Sequence, residues 1–179
     1  MRYLIIVSAV VLIGMMLFNS CASKDWRTAS RESAGIAPDP STTKEAVLHV
    51  YGADAWGWRG WFAIHTWIAA KRTGETTYTV YDVVGWRSHY GQPVLRIAKD
   101  VPDRYWYGEE PRILKAHKGT GVDEQIDEVN KAAAAYPWKE TYKAFPGPNS
   151  TTFTAWIAKQ VPKLELRLPF SAIGSGYLE

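Results

Sequence analysis

A small antiparallel sheet followed by two C-terminal helices, an α+β domain, is the fold the sequence predicts. Three observations carry it. Short runs rich in β-branched and aromatic residues recur between Ala46 and Lys99, with turn residues between them. After Gly121 the apolar residues recur at three- and four-residue steps, as on one face of a helix. Acidic residues open the first helical stretch and prolines close both, as the helix dipole and the missing proline N–H require.

Taken in order, Ala46–Tyr51 (AVLHVY) reads as a short strand, and Ala53–Gly60 (ADAWGWRG) as a glycine-interrupted aromatic turn. Trp61–Lys71 (WFAIHTWIAAK) suits strand or helix. It is read as a strand, because Thr, Trp and Ile cluster in it and Lys71-Arg72-Thr73-Gly74 ends it as a turn. Thr76–Trp86 (TTYTVYDVVGW) is the clearest strand and pairs with it as a hairpin. Pro93–Lys99 alternates apolar with polar residues as another strand, and Arg112–Lys115 adds a short one. Val122, Ile126, Val129, Ala133 and Tyr136 form the apolar stripe of the first helix, with Asp123 and Glu124 in its first turn and Pro137 as its stop. The second helix follows Pro148-Asn149-Ser150, buries Phe153, Trp156, Ile157 and Val161, and ends at Pro162.

The N-terminus reads as an export signal over residues 1–20. Met1-Arg2 supplies a positive start, and an apolar core of about 15 residues follows, shorter than the roughly 20 that span a bilayer. Ser20-Cys21 fits a lipoprotein cleavage site, although Phe18 and Asn19 depart from the favoured residues. An ordinary signal peptide or a short uncleaved anchor is the alternative. Cys21 is the sole cysteine, so no internal disulfide forms, and it stands where the apolar run meets a polar tether over residues 21–44. Lipid on Cys21 would hold the chain to a membrane. Ala22 and Ser23 follow it, which by resemblance to bacterial lipoproteins favours the outer membrane, facing the periplasm. The tether, rich in Ser, Thr, Ala and Pro, is either an extended linker or a segment draped over the domain, and Trp26 argues for draping. Residues 45–179 then make one domain. With nine tryptophans and ten tyrosines in the chain, its core or rim must be unusually aromatic. Losing Arg2 lowers the formal charge from +3 to about +2, a balance that implies no nucleic-acid partner.

Chemistry concentrates in Phe145–Phe153 (FPGPNSTTF), where two prolines and a glycine lead into a helix start. Asn149 or Ser150 occupies the N-cap, and a cap needs only an oxygen that accepts a backbone N–H. The same geometry suits a nucleophile, since helix-start N–H groups would hold the oxyanion formed when Ser150 attacks a carbonyl. Serine needs a base within reach. His65, amid apolar neighbours in AIHTWI, is the candidate, against the plainer reading of a core histidine bonded to a carbonyl. Asp82 on the next strand would orient the ring, with Tyr78 or Tyr81 as substitutes. Tyr78, Val80, Asp82 and Val84 share one face, so Asp82 is either inward with a partner or solvated. Trp56, Trp58, Arg59 and Trp61 suit a sugar-stacking platform for substrate, or else pack as core and turn. The histidines His49, His65, His89 and His117 lack metal-ligand spacing, Gly119-Thr120-Gly121 lacks the rest of a phosphate loop, and no metal or cofactor is expected.

The pieces DWRTASRESAGIAPDP, VYGADAWGWRGWFAIHTWIAAK, YDVVGWR, AYPW, FPGPNSTTFTAWIAKQVP and LPFSAIGSGYL resemble, in order, a bacterial family known only as domain of unknown function 3750. The likeness implies no activity. Thr151 stands where that pattern leads one to expect Asn. More distantly, a strand histidine followed by an Asn-x-x-x-Phe helix start is similar to circularly permuted papain-like proteins, relatives of NlpC-type peptidases and lecithin:retinol acyltransferases. That likeness places Ser150 at the position of their cysteine nucleophile, and Asn149 beside it is read as a substrate-binding residue. It implies a hydrolase or acyltransferase relative, which in a chain tethered to the envelope as the N-terminus suggests would act on cell-wall peptide or lipid. The alternative is a non-catalytic module that binds peptidoglycan or an envelope protein through a degenerate cleft. In a third reading Ser150 is only a cap.

Overall fold

The computed structural model describes residues 25–178, so the expected signal and Cys21 lie outside the described residues. Five antiparallel strands form one sheet in the order β4-β3-β2-β1-β5. They are β1 (Val47–Asp54), β2 (Ile64–Lys71), β3 (Thr79–Val83), β4 (Leu95–Lys99) and β5 (Arg112–Lys118). Two helices follow, α1 (Val122–Ala134) and α2 (Ser150–Gln160). No described helix is long and apolar enough to cross a membrane.

The expected elements are all present, with shifted edges. β1 runs on to Asp54 because Ala53 and Asp54 pair with His65 and Ile64, so the turn starts later than Ala53. Trp61 belongs to a 3₁₀ turn, Gly57–Trp61, and β2 begins only at Ile64. β3 is shorter than its composition suggests, since the chain coils into a second 3₁₀ turn over Gly85–Tyr90. Tyr136 lies just past α1, yet its buried ring meets Phe153 edge-on at 5.1 Å.

Side chains alternate across a strand, so the sheet has two faces. Leu48, Val50, Ile68 and Tyr81 point to one, where they pack on Ile126, Val129, Phe153 and Ile157 of the helices. Each such side chain, taken fully from water, contributes about 1.5–3 kcal/mol. Val47, Tyr51, Trp67 and Val80 point to the other face and pack on Trp106 and Tyr107. No described helix covers that second face.

Part of its cover is the N-terminal segment, which is draped and not an extended linker. The buried carboxylate of Asp103 accepts hydrogen bonds from Ser33 Oγ at 2.7 Å, Ile36 N at 2.7 Å and Ala37 N at 2.9 Å. Tyr78 donates its hydroxyl to Pro38 O, 2.9 Å away. Three donors on one carboxylate fix a segment that has little apolar surface of its own.

Candidate functional site

The sheet opens at one end. The β2–β3 ladder reaches only Ile68↔Tyr81. Beyond that pair the N–H of Thr66 has Ser150 Oγ as its acceptor, at a long 3.4 Å, in place of a strand partner. The start of α2 is thus sewn onto β2. Thr66 Oγ1 and Thr154 Oγ1 lie 2.8 Å apart, and Thr154 also donates to the Ser150 carbonyl at 3.1 Å.

The cap of α2 is Asn149, not Ser150. Asn149 Oδ1 accepts from the N–H groups of Thr151 and Thr152 at 3.0 and 3.1 Å, and Thr152 Oγ1 accepts from the Asn149 N–H in return. The amide of Asn149 donates to Ala144 O and Ile173 O, both at 3.0 Å. Two consequences correct the sequence reading. Asn149 has no polar atom left for substrate, and its role is to shape the turn. The helix-start N–H groups of Thr151 and Thr152 are also taken, so among the described residues only the Ser150 N–H remains without a partner there.

With the cap supplied by its neighbour, the Ser150 hydroxyl is released for other work, and the cap-only reading of Ser150 falls. Thr151, where Asn was expected, donates its hydroxyl to Ile173 O at 2.6 Å and so ties the helix start to the C-terminal segment. Gly174 follows at φ 101°, and a Cβ there would collide with the Asn149 amide, so the close approach needs glycine.

His65 is on the sheet face away from the helices. Its Nε2 lies 2.8 Å from Asp82 Oδ1, and Asp82 Oδ2 accepts from Arg104 Nη2 at 2.6 Å. Asp82 is 0% exposed, so it takes the inward alternative. Burial alone pushes its carboxyl up; His65, then Arg104 and Arg96, outweigh burial and hold it below the usual carboxylate range. Because the carboxylate accepts, Nε2 donates, and a neutral ring keeps its lone pair on Nδ1. Nδ1 makes no hydrogen bond among the described residues. The ring is also clamped flat against Trp106, centroids 3.4 Å apart and 3° from parallel.

Tyr81 does not belong to this constellation. It alternates to the helix face and donates to Asn130 Oδ1 at 2.6 Å. Tyr78 shares the Asp82 face but is committed to Pro38.

Ser150 and His65 line one cavity of about 700 Å³, open at the surface, although no hydrogen bond joins them among the described residues. Trp58, Arg59, Phe62, Trp86 and Phe145 frame it, and Asn149 backs it. Trp58 and Phe62 contact each other with centroids 5.6 Å apart, so the aromatic turn is a lip of the cavity. Trp61 stands outside it, 85% exposed. No group of three His, Cys, Asp or Glu residues that would hold a metal occurs among the described residues.

Arg104 and Trp106 are the site residues that sequence reasoning missed. Both come from the loop after β4, where nothing in PDRYWYG marks an inward arginine. The available signal was indirect: a buried Asp on a central strand requires a cation.

Fold and site together define an α+β domain whose opened sheet end sets a carboxylate-held strand histidine and a helix-start serine on one cleft. The chain belongs to the family described as protein of unknown function (DUF3750), whose model matches residues 45–177. No curated protein and no solved structure matches it.

Proposed function

We propose that the cleft is that of a papain-like hydrolase or acyltransferase relative, held at the bacterial envelope by lipid on Cys21 and acting on cell-wall peptide or lipid. The observation that supports this most is the fixed histidine. Asp82 holds Nε2, Arg104 holds Asp82, and Trp106 fixes the ring plane, leaving Nδ1 without a hydrogen bond among the described residues on a ring that lines the same cavity as Ser150. The order of a strand histidine followed by an Asn-x-x-x-Phe helix start is similar to that of permuted papain-like proteins. Fold likeness alone carries no activity, so the reading stands on these side chains.

In this mechanism His65 Nδ1 takes the proton of the Ser150 hydroxyl as Oγ attacks a carbonyl carbon. Thr66 N–H, its long partner at rest, is given up as Oγ turns. The Ser150 N–H stabilises the oxyanion. The imidazolium, stabilised by Asp82, then returns the proton to the leaving group, and water or an acceptor releases the acyl chain. A serine-reactive fluorophosphonate is expected to label Ser150, and His65→Gln to slow labelling about 100-fold or more with unfolding unchanged. A folded wild-type protein that takes no label at Ser150 would overturn the enzyme.

A non-catalytic module is the second reading, favoured by the exposed lip of Trp58 and Phe62 at 64% and 50%. It expects retention on isolated sacculi that Trp58→Ala weakens, with no label on Ser150.

A further inference from the structure

Behind the cleft, across the wall made by Trp86 and Trp106, lies a second pocket of about 220 Å³. Its lining is cationic. Arg31, Arg87, Arg96 and Arg104 all reach it, against the single carboxylate of Asp100. The existing bonds do not exhaust these donors. Arg96 gives Nη1 to Asp100 at 2.7 Å, Arg87 gives Nε to Pro93 O at 2.7 Å, and Arg31 gives Nη2 to Trp26 O at 3.1 Å. Arg104 is 7% exposed, and its buried Nη1 makes no hydrogen bond, with Asp100 Oδ2 its nearest charge at 3.5 Å. Asp82 neutralises Arg104 from behind, which still leaves four cations facing two anions. Like charges gathered at this density cost stability unless an anion offsets them.

We infer that this pocket binds a phosphate group. A planar carboxylate is satisfied by one or two guanidinium forks, whereas a tetrahedral phosphate accepts from several directions, as four arginines on separate segments require. Arg31 comes from the draped N-terminal segment, so the pocket is complete only when that segment is seated. Arg31 is also ten residues after Cys21, a reach of at most about 35 Å. If lipid on Cys21 anchors the chain, as proposed above, phosphate headgroups lie within that reach; a soluble phosphate ester would present the same group. The binding itself does not depend on Ser150 chemistry.

The test uses the full chain in non-ionic detergent, titrated with inorganic phosphate at constant ionic strength and read by tryptophan fluorescence, since Trp86 and Trp106 wall the pocket. Saturable binding that chloride does not reproduce is expected. Arg87→Gln and Arg31→Gln should each weaken it about tenfold with unchanged circular dichroism. Ser150→Ala should bind as the wild type does, which separates this result from the fate of the hydrolase. Sedimentation with phosphatidylcholine vesicles carrying phosphatidate then distinguishes the source. Vesicle binding in excess of that to phosphatidylcholine alone, which phosphate displaces and Arg87→Gln abolishes, marks a headgroup, and phosphate binding without that excess marks a soluble ester. Absence of saturable phosphate binding, or binding indifferent to both variants, would overturn the inference.

Discussion

The two faces of the central sheet are both buried, but they are built from different chemistry. The helix face is mostly aliphatic: Leu48, Val50 and Ile68 meet Ile126, Val129 and Ile157. The other face is aromatic and carries an ion chain, His65–Asp82–Arg104, beneath Trp106. Apolar packing tolerates swaps of similar volume at a cost of about 1.5 kcal/mol or less. A buried ion chain does not, because removing one member strands the charge of another. The helix face therefore holds the fold, and the aromatic face holds one side-chain geometry at some cost in stability.

The sharpest test of that contrast is Arg104→Met. It leaves Asp82 buried without its permanent cation, and a loss of about 3–5 kcal/mol is expected in urea unfolding. Ile157→Val on the other face should cost only about 0.5–1.5 kcal/mol. Equal losses would mean that the ion chain is ordinary packing.

The same carboxylate gives the aromatic face a pH signature. The folded Asp82 carboxyl sits below its ordinary value, so the unfolded chain binds more protons as the medium becomes acidic. Its stabilisation is complete above an unfolded value of about 3.9 and is lost as pH falls through the lower folded value. Unfolding followed from pH 6 downward should show this loss, and Asp82→Asn should flatten it. Asp82→Asn should also slow labelling of Ser150, since an amide can no longer fix the ring by accepting from Nε2 alone.

A smaller effect is expected where the two faces join. Asn149→Ala removes the oxygen that accepts from two helix-start N–H groups, and about 0.5–2 kcal/mol should be lost. Ser150→Ala removes only a weak 3.4 Å contact and should cost less than Asn149→Ala. The reverse order would return the cap to Ser150.

Much of this was legible in the sequence. The strands and helices announce themselves through residue type and period, because each has one face that must be buried. His65 and Asp82 were legible as a pair, since strand alternation puts both on the face opposite Ile68 and Tyr81. Tyr81, read as a substitute orienting group, falls on the opposite face by that same alternation. Arg104 and Trp106 were not legible, because they arrive from an irregular loop that has no period. The choice between Asn149 and Ser150 as cap was also undecidable locally, because either oxygen suits a helix start. It was settled by Ile173 and Gly174, which grip the Asn149 amide from the far end of the chain.

The smallest expected effect divides the aromatic turn itself. Trp58 and Trp61 are three residues apart and both exposed, yet only Trp58 of the two lines the cavity, where its ring meets Phe62 at a tilt. Either replaced by alanine should change unfolding by no more than about 0.5 kcal/mol, because neither is in the core. Their effects on the cleft should nevertheless differ. Trp58→Ala strips one side of the lip and should weaken whatever the cavity retains, a cell-wall peptide, a lipid or a labelling reagent with an apolar tail. Trp61→Ala should leave that retention as it is. If the two substitutions behave alike, the lip is a surface ornament and the work of the cavity lies entirely with the ion chain behind it.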